Sequence, residues 1–241
     1  MEHELQGHTK KVYRIWNDPR KKLIEKLKDI ALEIAIIVFA VTISIWFHSW
    51  SQHKHEQKDV KAFLIGLKDD LQSDLKEIKN DQTYYKGYDS LFRLIQNSTK
   101  NNGKINKDSI MPFREYVFST TGLNVNNGRF DGFKSSGKIG LIEDEDLQND
   151  ILNLYQENIP MLIMNSNGYT ENKSRFINDL IKSYKRTGLD EENLLNFLNG
   201  DLSYSYAKSL SNTTQIVELY QKVADQNTKI IAKIDKMYNL K

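Results

Sequence analysis

From Ile30 to Trp50 the chain reads IALEIAIIVFAVTISIWFHSW, twenty-one residues in which Glu33 is the only acidic one and no Lys or Arg occurs. At about 1.5 Å per helical residue this stretch reaches about 31 Å, close to the roughly 30 Å hydrocarbon core of a bilayer. Hydrocarbon offers no partner for backbone N–H and C=O groups, so a crossing segment must pair them internally, and the run predicts one transmembrane helix over 30–50. A buried core helix of a water-soluble protein is the competing reading, but such runs are shorter and flanked by amphipathic pattern rather than by a basic cluster. Trp46 and Trp50 near its end suit the aromatic belt at a membrane interface and are expected to anchor it. Cleavage as a signal peptide is disfavoured, because Ser49-Trp50-Ser51 is a poor small-x-small site.

Positive residues resist translocation, so their distribution sets orientation. Lys10, Lys11, Arg14, Arg20, Lys21, Lys22, Lys26 and Lys28 precede the run, whereas only Lys54, Lys58, Lys61 and Lys68 stand in the twenty residues after it. Eight against four places a basic segment, 1–29, in the cytoplasm and exports the soluble domain, 51–241. Within PRKKLIEKLKD, Pro19 to Asp29, the apolar Leu23, Ile24 and Leu27 share a helical face ringed by lysines. That segment either rests on anionic headgroups or serves only to set topology.

The exported part holds 26 Lys and Arg against 26 Asp and Glu. Such neutrality argues against a nucleic-acid partner, which requires a basic face. The chain has no cysteine, which excludes disulfides, thiolate metal sites and cysteine nucleophiles. Three prolines and few glycines leave room for long helices.

Apolar positions Val60, Leu64, Leu67, Leu71, Leu75 and Ile78 recur every three or four residues and continue through Tyr85, Tyr88, Phe92 and Ile95. This is the stripe of an amphipathic helix, ended by TKNNGKINK at Thr99 to Lys107. Shorter helices are expected near Asp108 and around Phe130 and Phe133, the latter closed by Gly137 in the left-handed position. The acidic run Glu143 to Asp146 caps a helix carrying Leu147, Ile151 and Leu154, which Pro160 bends or breaks before it resumes through Phe176 and Leu180. Another helix starts at Asp190, with Leu189 stapled on Leu194. The last starts near Ser211 and carries Ile216, Leu219, Val223, Ile230, Ile234 and Met237. The expected fold is all-α: one N-terminal transmembrane helix followed by a bundle of long helices.

Three stretches, LEIAIIVFAVTISIWFHSW, FLIGLKDDLQSDL and FDGFKSSGKIGLIEDEDLQNDILNLY, carry a likeness. In them the chain resembles an uncharacterised family of single-pass membrane proteins of Gram-negative bacteria, with a basic N-terminus, an acidic residue early in the span and a helical domain after it. The family's span ends Asn-Trp-Asn-Glu where this chain has His48-Ser49-Trp50-Ser51. The resemblance implies membrane anchoring and the fold class; together with the charge asymmetry, the expected location is the bacterial inner membrane, with the N-terminus cytoplasmic and the C-terminal domain periplasmic. It brings no activity, cofactor or catalytic residue.

All five histidines, His3, His8, His48, His53 and His55, lie at or before the start of the soluble domain, so no histidine-based acid–base pair arises in its body. Paired carboxylates such as Asp69 and Asp70 are read as a solvated helix face, and Tyr84, Tyr85 and Tyr88 as core and rim. No catalytic, cofactor or metal residue is called. Glu33 is the residue whose position asks for a reason, since a carboxylate in a bilayer must find a partner, protonate or reach the headgroups. At 100° per residue Ala40 and Ser44 fall within about 20° of Glu33. Small and polar residues on one stripe are what helix pairs in lipid use, so Glu33, Ala40 and Ser44 are the candidate helix-association site, the competing reading being that Glu33 only snorkels to the cytoplasmic boundary. The expected function is a non-enzymatic, membrane-anchored helical interaction module, whose partners are the bilayer and either another membrane protein or a second copy. The alternative is a ligand sensor that passes a signal through the span to a partner.

Overall fold

The computed structural model describes residues 10–17, 19, 22–100, 103–186 and 190–240, and among these every regular element is helical. His3, His8, Arg20, Lys21 and the expected staple residue Leu189 lie outside the described residues. Two compact units divide the chain, Met1–Asp59 and Val60–Lys241.

In the first unit, residues 10–16 are helical, and helix α1, Leu23–Lys100, begins soon after. The Glu25 carboxylate accepts the Lys22 amide at 3.2 Å and so satisfies a donor at the start of α1. No proline interrupts its 78 residues. The 10–16 helix lies antiparallel to the start of α1, because Lys26 Nζ donates to Trp16 O at 2.8 Å and Lys11 Nζ sits 2.8 Å from Glu33 Oε2. Val12 and Ile15 on one side and Lys26, Asp29, Ile30, Glu33 and Ile37 on the other are the partly or fully covered positions of this hairpin. By length and composition α1 contains a segment able to cross a membrane: its most apolar window has mean hydropathy 2.5 and is 6 % buried.

In the second unit α1 supplies a stripe of buried residues at alternating spacings of four and three: Val60, Leu64, Leu67, Leu71, Asp74, Ile78, Asp81, Tyr85, Tyr88, Phe92 and Ile95. Leu75, expected in this stripe, is half-buried, and the acidic Asp74 takes the core position. Short helices follow: α2 (Lys107–Ile110), α3 (Arg114–Phe118) and α4 (Gly128–Ser135). Asn106 caps α2 through Ser109 N at 2.9 Å. Gly137, at φ 73°, adopts the left-handed conformation expected of it after α4. Asp144 accepts Leu147 N at 2.9 Å and caps α5 (Glu145–Asn153), as the acidic run implied.

A π-helical turn, Leu154–Asn158, joins α5 to α6 (Ile159–Ser183). Ile159 N–H reaches back to Leu154 O, so the turn holds one residue more than an α-turn immediately before Pro160, which has no N–H to donate. Gln226 Nε2 donates to Asp150 O at 2.7 Å and its Oε1 accepts from Asn158 Nδ2, tying the π-turn to the last helix. Helices α7 (Asp190–Leu198), α8 (Asp201–Leu210) and α9 (Thr214–Tyr238) complete the chain. Helix α9 buries Ile216, Tyr220, Val223, Asn227, Ile230 and Ile234 and runs antiparallel to α1, since Tyr220 meets Asp81 while Asp235 meets Lys68. The matching four–three spacing on both helices is what lets long helices pack side by side at a shallow angle.

Candidate functional site

The expected association stripe divides in the structure. Glu33 is 3 % exposed and paired with Lys11 of its own chain, whereas Ala40 and Ser44 are exposed, with Ser44 Oγ donating to Ala40 O at 2.9 Å. Lys11 entered the sequence reading only as a topology residue; its role as partner to Glu33 depends on the fold-back of the 10–16 helix. Beyond them Trp46 and Trp50 are 65 % and 44 % exposed, and Lys54 Nζ lies 4.0 Å over the Trp50 ring. An ammonium over an indole face is held by the ring quadrupole, which joins the terminal aromatic of the apolar run to the first lysine after it.

The second unit holds a polar interior that the sequence reading did not single out. One face of α1 carries Asp70, Asp74, Glu77 and Asp81, and each receives the segment between α3 and α4 or its flank. Arg129 Nε donates to Asp70 at 2.8 Å, Asn126 Nδ2 to Asp74 at 2.6 Å, Asn124 N to Glu77 at 2.7 Å, and Thr121 Oγ1 to Asp81. The seven residues from Asp74 to Asp81 span about 10 Å of helix, while the five from Asn126 to Thr121 reach at most about 17 Å, so this strap is only partly extended. Two glycines of α1 make room for its ends: a Cβ on Gly66 would stand 2.3 Å from the Arg129 guanidinium, and one on Gly87 would stand 2.5 Å from the Tyr116 ring. Burial raises the Asp74 pKa against the two Asn126 hydrogen bonds that lower it.

Behind the strap lies Lys173 of α6, fully buried. Its Nζ donates to Tyr116 O at 2.7 Å and Val117 O at 3.2 Å, at the carbonyl end of α3, and sits 4.5 Å from the Tyr88 ring centroid. Among the described residues no carboxylate pairs with it, and burial pulls its amine down from an ordinary 10.5 to about 7. Tyr85, Tyr88, Tyr169 and Tyr220 pack around each other nearby, with Tyr85 within 5.3 Å of Tyr169 and 5.5 Å of Tyr220. Tyr85 and Tyr88 are core and Tyr84 rim, as the sequence suggested. Burial raises the phenol pKa of Tyr88, Tyr169 and Tyr220, so these hydroxyls stay protonated donors.

An open polar groove beside the π-turn is lined by Asp150, Asn153, Glu157, Lys222, Asp225 and Lys229, among others. Burial opposes ionisation of Asp150, but Lys229 and Lys233, each at 2.7 Å, outweigh it and hold that carboxyl below its usual range. Among the described residues no group of three His, Cys, Asp or Glu side chains is arranged to hold a metal ion.

No family model, curated protein or solved structure matches this chain. Two features had a visible signal: Asp74 and Asp81 fall on the four–three stripe of α1, and Lys173 falls on the stripe of α6 between Ser166 and Phe176. A charged residue in core register is a prediction of a buried polar contact.

Proposed function

We propose that this protein is a single-pass, membrane-anchored helical interaction module. Residues 30–50 cross the bacterial inner membrane with the N-terminus cytoplasmic, and residues 51–241 form a periplasmic helical domain that binds a membrane-protein partner or a second copy. The observation that carries this reading is a contrast along α1. From Val60 onward its apolar stripe is buried under other helices, whereas Phe39, Ile45 and Trp46, within the apolar run, are 68 %, 62 % and 65 % exposed. Water is a poor medium for a continuous apolar surface of that length. The charge asymmetry and the resemblance to single-pass proteins support the same reading.

A second reading, a ligand sensor that passes a signal through the span to a partner, draws on the polar groove beside the π-turn, since π-turns are frequent at functional sites. Two measurements test the module. An export-dependent reporter fused after Lys241 should be active and a cytoplasm-dependent one silent; the reverse refutes the orientation. Cross-linking in intact cells, followed by purification in mild detergent, should give discrete species above the monomer mass, and a monomer alone refutes an interaction role.

A further inference from the structure

We propose that the hairpin made by the 10–16 helix and the first turns of α1 is an interfacial element, aligned with the start of the span, that binds anionic lipid headgroups and is locked to the span by the Lys11–Glu33 ion pair. This rests on the reading of residues 30–50 as a membrane span. The hairpin leaves its large apolar side chains uncovered: Tyr13 is 71 % exposed, Trp16 56 %, Leu23 70 %, Ile24 68 % and Leu27 52 %. Among them stand the exposed bases Lys10, Arg14, Lys22 and Lys28. Residues 10–29 hold eight Lys and Arg and three Asp and Glu, a net charge of +5. Uncovered apolar and aromatic residues mixed with excess positive charge are complementary to a negatively charged interface, where rings and aliphatic stems sink and ammonium groups remain wet.

Depth supports the same occupant. Lys26, which meets Trp16, precedes Ile30 by four residues, about 6 Å along a helix, and the headgroup layer on each side of a bilayer is about 5–8 Å thick. Trp16 is thus level with the headgroups, where indoles concentrate. Glu33 lies about 4.5 Å inside the hydrocarbon boundary on the same count. A lone carboxylate there is costly, and the Lys11 ammonium, on a stem long enough to reach inward from the interface, neutralises it. The ion pair does two things together: it removes a charge from the span and fixes the 10–16 helix alongside the start of α1.

Single-tryptophan forms of the full chain test this in nanodiscs of phosphatidylcholine, with and without phosphatidylglycerol, whose acyl chains carry bromine as a quencher. One form keeps Trp16 and the other Trp46, the remaining tryptophans being replaced by phenylalanine. Trp16 should be quenched by lipid and shielded from aqueous iodide in the anionic discs, far less so in neutral discs or at high salt, while Trp46 is quenched in both. Lys11→Glu should release Trp16 to iodide, and Lys11→Glu combined with Glu33→Lys should return it to the lipid. If Trp16 is open to iodide in anionic discs while Trp46 is quenched, the hairpin proposal falls and the span stands. Should Trp46 also escape quenching, both fall. Equal quenching of Trp16 in neutral and anionic discs overturns the headgroup preference, and failure of the charge swap overturns the lock.

Discussion

Replacing Lys173 by methionine should abolish a pH dependence of stability that the buried amine imposes. Lys173 is fully buried, and burial pulls its amine to about 7 from an ordinary 10.5. The sign follows from proton counts. Between those values the unfolded lysine carries its proton and the folded one does not, so unfolding takes up a proton and stability rises with pH. Below about 7 both states are protonated and the cost of the buried charge is fully present; it fades as pH climbs toward 10.5. At about 1.4 kcal/mol per pH unit, and allowing for half-protonation at the lower end, the gain from pH 7 to 9.5 is about 3 kcal/mol. Lys173→Met has no such gain. It also strands the carbonyls of Tyr116 and Val117, at about 1–3 kcal/mol each, which roughly offsets the relief of the buried charge near neutral pH. The two proteins should therefore be of similar stability at pH 7, with the wild type ahead by about 3 kcal/mol at pH 9.5. Staying at or below that pH avoids the range where the buried tyrosines, with their raised pKa, begin to lower stability. Urea unfolding of residues 57–241, followed by near-ultraviolet circular dichroism of the tyrosines, measures this. Parallel curves across the pH range would refute an amine that loses its proton on folding.

Four further outcomes are expected. The fragment 57–241 should give a strongly helical circular dichroism spectrum and a cooperative melt, because Val60–Lys241 is a compact unit with its own core; strand signal or no transition counts against it. In a membrane two-hybrid assay of the isolated span, from which Lys11 is absent, Glu33→Leu and Ala40→Ile should weaken association by about 0.6 kcal/mol and rarely above about 2, and Glu33→Gln should retain it; equal signals in all four sequences remove the stripe. Asn227→Leu should stabilise the domain by about 1–3 kcal/mol, since Asn227 is fully buried and neither polar atom of its side chain has a protein partner among the described residues; a loss of stability would show that its amide is paired by water. Gly87→Ala should destabilise, although alanine is the better helix former by about 1 kcal/mol, because the new Cβ meets the Tyr116 ring at 2.5 Å; a raised melting temperature would show that Tyr116 moves aside freely.

Much of the helical content was legible because apolar spacing follows 3.6-residue periodicity, and caps such as Asp144 and the left-handed Gly137 announce themselves by residue type. The acidic ladder was half legible. Asp74 and Asp81 break an apolar stripe in register, yet attention to hydrophobicity alone moved the stripe to Leu75. The strap itself has no periodicity, since side-chain bonds to α1 hold it rather than a ladder of its own. Helices shorter than the long α1, α6 and α9 take up more of the chain than the long-helix reading allowed, for such short pieces are set by tertiary contacts more than by propensity. The Lys11–Glu33 pair was hidden because its members are 22 positions apart, and no local rule joins them.

The π-turn before Pro160 has a consequence for how the gene can change length. An α-helix that gains one residue must either rotate everything downstream by about 100° or confine the surplus to a single wide turn. Here the surplus is confined, so Leu162, Phe176 and Leu180 keep facing the same core as Leu147 and Ile151. Loss of one codon among 154–158 would return the turn to ordinary α-geometry without turning those side chains outward, but Pro160 would then clash with the carbonyl four residues earlier. Deletion and Pro160→Ala are thus a coupled pair: deletion alone leaves a clash at Pro160, Pro160→Ala alone leaves the wide turn in place, and the two together convert α5 and α6 into one uninterrupted helix.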